Sequence, residues 1–136
     1  MQGIECILLV DDDPITNFIN QLLLEKLGFG EDEIMVTTDG DEAVNIVNDT
    51  NEKLKKNNTL LLLFLDINMP ALDGFEVLDA LNEMSLSHSQ IKVYLLTSSQ
   101  NAKDLQKAKD YKICKFIDKP LKEESVKTIL DELNPS

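Results

Sequence analysis

The sequence predicts an α/β fold: one domain, residues 1–136, built as a doubly wound sheet of five parallel strands with five helices shared between its two faces. Three observations carry this. Five short apolar runs alternate with stretches of helical periodicity. Three of the runs are apolar almost throughout, as strands covered on both faces must be. Five strand–helix units also fit naturally into a chain of 136 residues.

The elements follow in order. "IECILLV" (4–10) is the first strand. Pro14 suits the first turn of a helix and Asp13 its cap. Ile15, Phe18, Ile19, Leu22 and Leu23 then recur at helical spacing, the pattern of a core-facing apolar stripe, and Gly28 supplies the stop. "EIMVT" (33–37) is the second strand. Asp39 and Glu42 have capping-box spacing ahead of Ala43, Ile46 and Val47. The polar stretch "NEKLKKNNT" (51–59) reads as a frayed helix end and loop. "LLLLFLD" (60–66) is the third strand, and Gly74 opens a helix through Val77, Leu78, Leu81 and Met84. "IKVYLLT" (91–97) is the fourth strand. The fourth helix, near 101–110, is marked only by Ala102, Leu105 and Ala108. "ICKFI" (113–117) is the fifth strand, and Val126, Ile129, Leu130 and Leu133 form the last helix, closed by Pro135.

Composition narrows the function. A hydrophobic fraction of 43% is a globular value. No run approaches the roughly 20 apolar residues of a membrane span, and the N-terminus has no basic leader, so the chain is expected to be cytoplasmic and off the membrane. Net charge is −12 with thirteen basic residues, all Lys. That excludes a nucleic-acid surface, which wants clustered cations and often the Arg fork. Cys6 and Cys114 read as buried thiols, and His88 as a loop histidine at the opposite end from the acids described next.

Parallel sheets bind ligands beyond the carboxyl ends of their strands. Here those ends carry Asp11, Asp12 and Asp13 after the first strand, Asp66 at the third, Thr97 and Ser98 at the fourth, and Asp118, Lys119 and Pro120 at the fifth. Any one Asp after a strand is usually a helix cap, as Asp13 should be. The set together is a site: like charges about 4 Å apart repel by roughly 4 kcal/mol at an effective dielectric near 20, and a cation or a nearby Lys relieves that. Hard oxygen ligands suit Mg²⁺ or Mn²⁺.

The blocks "ILLVDDDP", "FLDINMPALDGFEVL", "LLTSS" and "FIDKPL" resemble those of bacterial two-component response-regulator receiver domains, in the same order and over essentially the whole chain. The resemblance implies the flavodoxin-like strand order 2-1-3-4-5. It implies Mg²⁺-dependent phosphoryl transfer from a histidine kinase or histidine phosphotransfer protein to Asp66, the chain catalysing only its own phosphorylation and dephosphorylation. By position, Asp12 should meet the metal directly, Asp11 largely through water, and Asn68 through its backbone carbonyl. Thr97 and Lys119 should hold phosphoryl oxygens, Phe116 should be the switch aromatic moving with Thr97, and Lys119-Pro120 should be cis. Little chain follows Lys119, so a stand-alone receiver is expected, signalling through a downstream protein partner or a homodimer. The resemblance implies the face of the fourth helix, fifth strand and fifth helix for this, and residues 101–115, on the fourth helix and start of the fifth strand, carry +3 (five Lys, two Asp) against −15 for the remainder. The segment from Asp39 to Thr59 is long for such domains.

Three other readings meet specific obstacles. An FMN-binding fold of the same topology needs a hydroxyl- and Gly-rich loop after the first strand, where this chain has "DDDP". An Asp-nucleophile phosphatase usually carries DxD, and here the sequence is "DIN". A pseudo-receiver acting only as a binding module would not need Asp11, Asp12, Asp66, Thr97 and Lys119 together.

Overall fold

A computed structural model describes residues 3–67, 69, 74–97, 102–111 and 115–133. Strands β1 (Ile4–Val10), β2 (Ile34–Thr37), β3 (Leu60–Asp66), β4 (Ile91–Thr97) and β5 (Lys115–Asp118) form one sheet in the order β2-β1-β3-β4-β5, with every pairing parallel. Helices α1 (Pro14–Lys26), α2 (Gly40–Asn57), α3 (Gly74–Asn82), α4 (Ala102–Ala108) and α5 (Glu123–Leu133) connect and flank them. The register sets Val10 beside Leu65, Asp66 beside Leu96 and Thr97 beside Asp118, so the carboxyl ends of four strands finish level. Fold and strand order are those the sequence predicts. Residues 113 and 114 of the expected fifth strand lie outside the described residues, as does Pro135.

Alternation along the strands divides the core into two layers. Leu8, Leu61, Leu63, Leu65 and Leu95 pack under α2 and α3. Ile7, Leu9, Leu62, Phe64 and Leu96 pack under Leu24 of α1 and Val126 and Ile129 of α5. Central β3 is buried from Leu61 to Asp66. Gly74 lets α3 start hard against it: a Cβ there would stand 2.8 Å from the Ile67 Cα and 3.0 Å from the Asp66 carbonyl oxygen.

Two expectations are corrected. The apolar stripe of α1 does not face the core. Ile15 (68% exposed), Phe18 (60%), Ile19 (56%) and Leu22 (48%) point outward, while Asn17, Asn20 and Leu24 point inward. The cause is a hydrogen-bond demand at the sheet's end. The Asn17 Nδ2 donates to the Asp11 carbonyl (2.9 Å) and the Thr37 carbonyl (3.2 Å), which fixes the helix's rotation. Helix α2, in turn, does not fray at 51–57. It runs to Asn57, anchored by buried Asn51 and Leu54, and ends on Asn58 with φ 52°. The Asn51 side-chain oxygen accepts from Ser87 N (2.9 Å), and Gln90 caps the helix end by donating to the carbonyls of Leu54 (2.7 Å) and Thr59 (2.9 Å). At its start Asp39 caps as expected, accepting from Asp41 N at 2.8 Å, but its own N–H goes to the Thr37 Oγ1 (3.1 Å) rather than to Glu42.

Helix α4 presents the thin apolar face the sequence indicates, with Ala108 buried. It is nevertheless tied down just beyond its end. The Tyr111 hydroxyl donates to Asp79 of α3 (2.6 Å), the Phe75 and Tyr111 rings lie 5.7 Å apart, and the Lys107 Nζ stands 4.7 Å from the centre of the Phe75 ring.

The rotation of α1 has a measurable consequence. Leu24→Ala should destabilise the protein by about 3 kcal/mol, as a fully buried Leu does. Phe18→Ala should change stability by no more than ~0.5 kcal/mol. Urea unfolding of both variants checks it, and the reverse order would restore the stripe-inward arrangement.

Candidate functional site

Four of the five strand ends deliver groups to the same edge. β1 hands over to Asp11, which is buried, and Asp12, which is exposed. Asp13 caps α1, its Oδ1 accepting from Ile15 N (2.9 Å) and its Oδ2 from the Thr16 hydroxyl (3.1 Å). β3 ends on buried Asp66 and β4 on buried Thr97. Lys119 follows β5, its N–H donating to the Thr97 carbonyl (2.8 Å), and Lys119-Pro120 is cis as expected.

The Lys119 ammonium joins the two buried acids. Its Nζ is 2.7 Å from the Asp11 Oδ2 and 3.2 Å from the Asp66 Oδ2. The other Asp11 oxygen accepts from Asp13 N (3.0 Å), so that carboxylate is held at both ends. Burial alone would lower the lysine's pKa. The hydrogen bond to Asp11 and the charges of Asp66 and Asp11 outweigh it, and the pKa stands above its ordinary value.

Oxygens of Asp11, Asp12 and Asp66 lie within 4.8 Å of one another. Three hard ligands so placed against one ammonium suit a divalent cation of the Mg²⁺ kind. Of the three, Asp11 is already held by Lys119 and the Asp13 amide, while Asp12 is exposed. The backbone of Asn68, named from the sequence as a further ligand, and Ser98 lie outside the described residues.

Phe116 is half-buried on β5, beside Leu95, and packs against the layer beneath α2 and α3. The lysine patch is less uniform than its sequence suggests. Lys107 lies over Phe75, Lys115 pairs with Glu132 (3.2 Å), and Lys112 is outside the described residues. His88 sits just before β4, at the opposite end from the carboxylates, its Nε2 3.3 Å from the Met84 carbonyl. Cys6 is buried, and burial pushes its thiol up to about 11. No helix among the described residues is long and apolar enough to cross a membrane. Sequence reasoning missed Asn17. Its signal was a pair of asparagines, 17 and 20, at one-turn spacing inside an otherwise apolar helix.

Comparison with known proteins agrees with this fold. The family described as "Response regulator receiver domain" matches residues 7–131. Hybrid signal transduction histidine kinase B of Dictyostelium discoideum is 32% identical over 131 residues, which take in 89% of this chain but 6% of that protein. The chain therefore spans only a small part of that relative. The crystal structure of a two-component response regulator from Cytophaga hutchinsonii superposes with a TM-score of 0.81 at 28% identity, covering 99% of this chain and 100% of that one. A Pseudomonas aeruginosa sensor-kinase receiver domain, solved with a magnesium ion coordinated in its active site cleft, shares the fold at 20% identity and a TM-score of 0.75 over 95% of this chain and 96% of that one.

The raised lysine pKa dictates a pH dependence. A cation whose folded pKa exceeds its unfolded value of about 10.4 stabilises fully below that value and stops doing so as pH rises through the folded pKa. Thermal melts from about pH 9 to about pH 11.5 should show an alkaline loss of stability that is smaller in Lys119→Met.

Proposed function

Because the chain belongs to the response regulator receiver domain family of two-component systems, we propose that it accepts a phosphoryl group on Asp66 from a histidine kinase or histidine phosphotransfer protein. The observation that carries this reading is the Lys119 ammonium lying between Asp11 and Asp66, with Asp12 beside them. An Asp66 oxygen attacks phosphorus, the bond from phosphorus to the donor's imidazole nitrogen breaks with its electron pair left on the ring, and an acyl phosphate forms. Asp12 and Asp66 would hold Mg²⁺ or Mn²⁺ directly, with Asp11 behind water and the Asn68 carbonyl completing the set. The bound ion supplies neutralisation of phosphoryl charge. Lys119 turns from its carboxylates to a phosphoryl oxygen, and the Thr97 hydroxyl donates to another. The chain's task is positioning more than covalent chemistry.

A protein donor also needs a place to dock. The outward face of α1 begins three residues past Asp12 and carries no charge from Ile15 to Leu22. Contiguous exposed apolar side chains at this spacing suit an apolar helix of the partner. Output is assigned to the face of α4, β5 and α5, where movement of Thr97 and Phe116 would loosen the Tyr111–Asp79 tie and present the lysines to a downstream protein or a second copy.

With acetyl phosphate and Mg²⁺ one labile phosphoryl group should appear by mass. It should be absent from Asp66→Ala and after chelation. Undiminished labelling of Asp66→Ala would remove the assignment.

Docking on α1 makes a separate expectation. Phe18→Asp should leave acetyl phosphate labelling unchanged and slow transfer from a phosphohistidine protein by about tenfold, the effect of losing one central apolar contact. Equal transfer rates would move the docking site elsewhere.

A further inference from the structure

Helix α1 buries an amide where a leucine would pack. Asn17 is 1% exposed, Asn is a mediocre helix former, and the Asn17 Oδ1 is buried with no hydrogen-bond partner among the described residues. A residue kept for packing alone would not leave that oxygen unsatisfied. What the side chain does is directional. Its Nδ2 spends one hydrogen on the Asp11 carbonyl (2.9 Å) and the other on the Thr37 carbonyl (3.2 Å). Asp11 N also reaches the Thr37 carbonyl (3.3 Å), so β1 and β2 are clamped at the point where their ladder stops.

The Asp11 carbonyl belongs to the peptide that joins Asp11 to Asp12. That unit is planar, so holding its oxygen sets the direction in which Asp12 leaves the strand. The two acids differ in how else they are held. The Asp11 carboxylate has Lys119 on one oxygen and the Asp13 amide on the other. Asp12 is exposed, and its side chain makes no hydrogen bond or ion pair with the described residues. Among the described residues, only its backbone aims its carboxylate.

We propose that Asn17 is a positioning residue for the divalent-cation site: by fixing the Asp11–Asp12 peptide it aims the Asp12 carboxylate at the place the cation occupies. The inference rests on the cation-dependent reading above and extends it to a residue that touches neither cation nor phosphoryl group. Partners standing behind a metal ligand typically change affinity by about 10- to 100-fold when removed. Asn17 belongs at the lower end, because it acts on one ligand of several.

The test is Mg²⁺ affinity, measured by titration calorimetry on the full chain, with the melting temperature of each variant recorded beside it. Asn17→Leu should bind Mg²⁺ about tenfold more weakly. Asn20→Leu changes the same buried face one turn later, without the clamp, and should keep wild-type affinity. In an Asp12→Ala background, Asn17→Leu should cause no further loss, because the ligand it aims is gone. Wild-type affinity in Asn17→Leu, a loss matched by Asn20→Leu, or a full further loss without Asp12 would each overturn the assignment. If Asn17→Leu does not fold, the wild type still decides: the Asn17 side-chain amide resonances should shift along the Mg²⁺ titration, and stationary resonances would refute the role. A wild type that binds no Mg²⁺ at all overturns the cation reading itself, a result distinct from all of these.

Discussion

One ammonium between two buried carboxylates organises this edge of the molecule. Asp11 and Asp66 are both buried, close together, and sited where the two central strands end. Without Lys119 that arrangement would be two like charges in a poorly solvated place, which proteins tolerate only with a compensating partner. The compensation arrives from the far side of the sheet. Lys119 follows β5, and its backbone N–H continues the ladder onto Thr97, so the lysine is held by the sheet before its side chain turns inward. Four strand ends are thereby tied into one cluster. Under the function proposed above the pairing is also provisional, because the groups that satisfy one another here are the ones a cation and a phosphoryl group would engage.

Much of this was legible in the sequence because buried parallel strands advertise themselves. β1, β3 and β4 are almost wholly apolar runs, and each is found where its run lies. The site was legible for a related reason: topology alone brings strand ends together, so reading the residues after each run assembles Asp11, Asp12, Asp66, Thr97 and Lys119 without any distance. Periodicity is weaker evidence about direction. The spacing of Ile15, Phe18, Ile19 and Leu22 correctly makes a helix, yet it cannot say which way the stripe turns. That was decided by Asn17 reaching the Thr37 carbonyl, a contact twenty residues away in sequence.

The same limit explains α2. Its polar second half looks like a fraying end, since its supports come from elsewhere in the chain. Ser87 meets Asn51, and Gln90 closes the helix on the Leu54 carbonyl, both across 36 residues. Local composition records the exposed face of such a helix faithfully and is silent about its anchors. The tie between Tyr111 and Asp79 belongs to this class as well. A helix with a thin apolar face is pinned by a residue just beyond it.

The outward stripe of α1 also bears on how copies of the chain behave in concentrated solution. Four large apolar side chains in a row are adhesive, and a neutral body carrying them would tend to stick to itself. This body carries a strong net negative charge and has an isoelectric point near 4.3. Like-charge repulsion therefore works against contact between copies at neutral pH, over the roughly 8 Å to which physiological salt limits it, while the stripe acts at contact. Colloidal behaviour and partner choice become one property. The charge that works against contact between identical molecules does not act against a basic or neutral partner, which biases the exposed stripe toward a different chain.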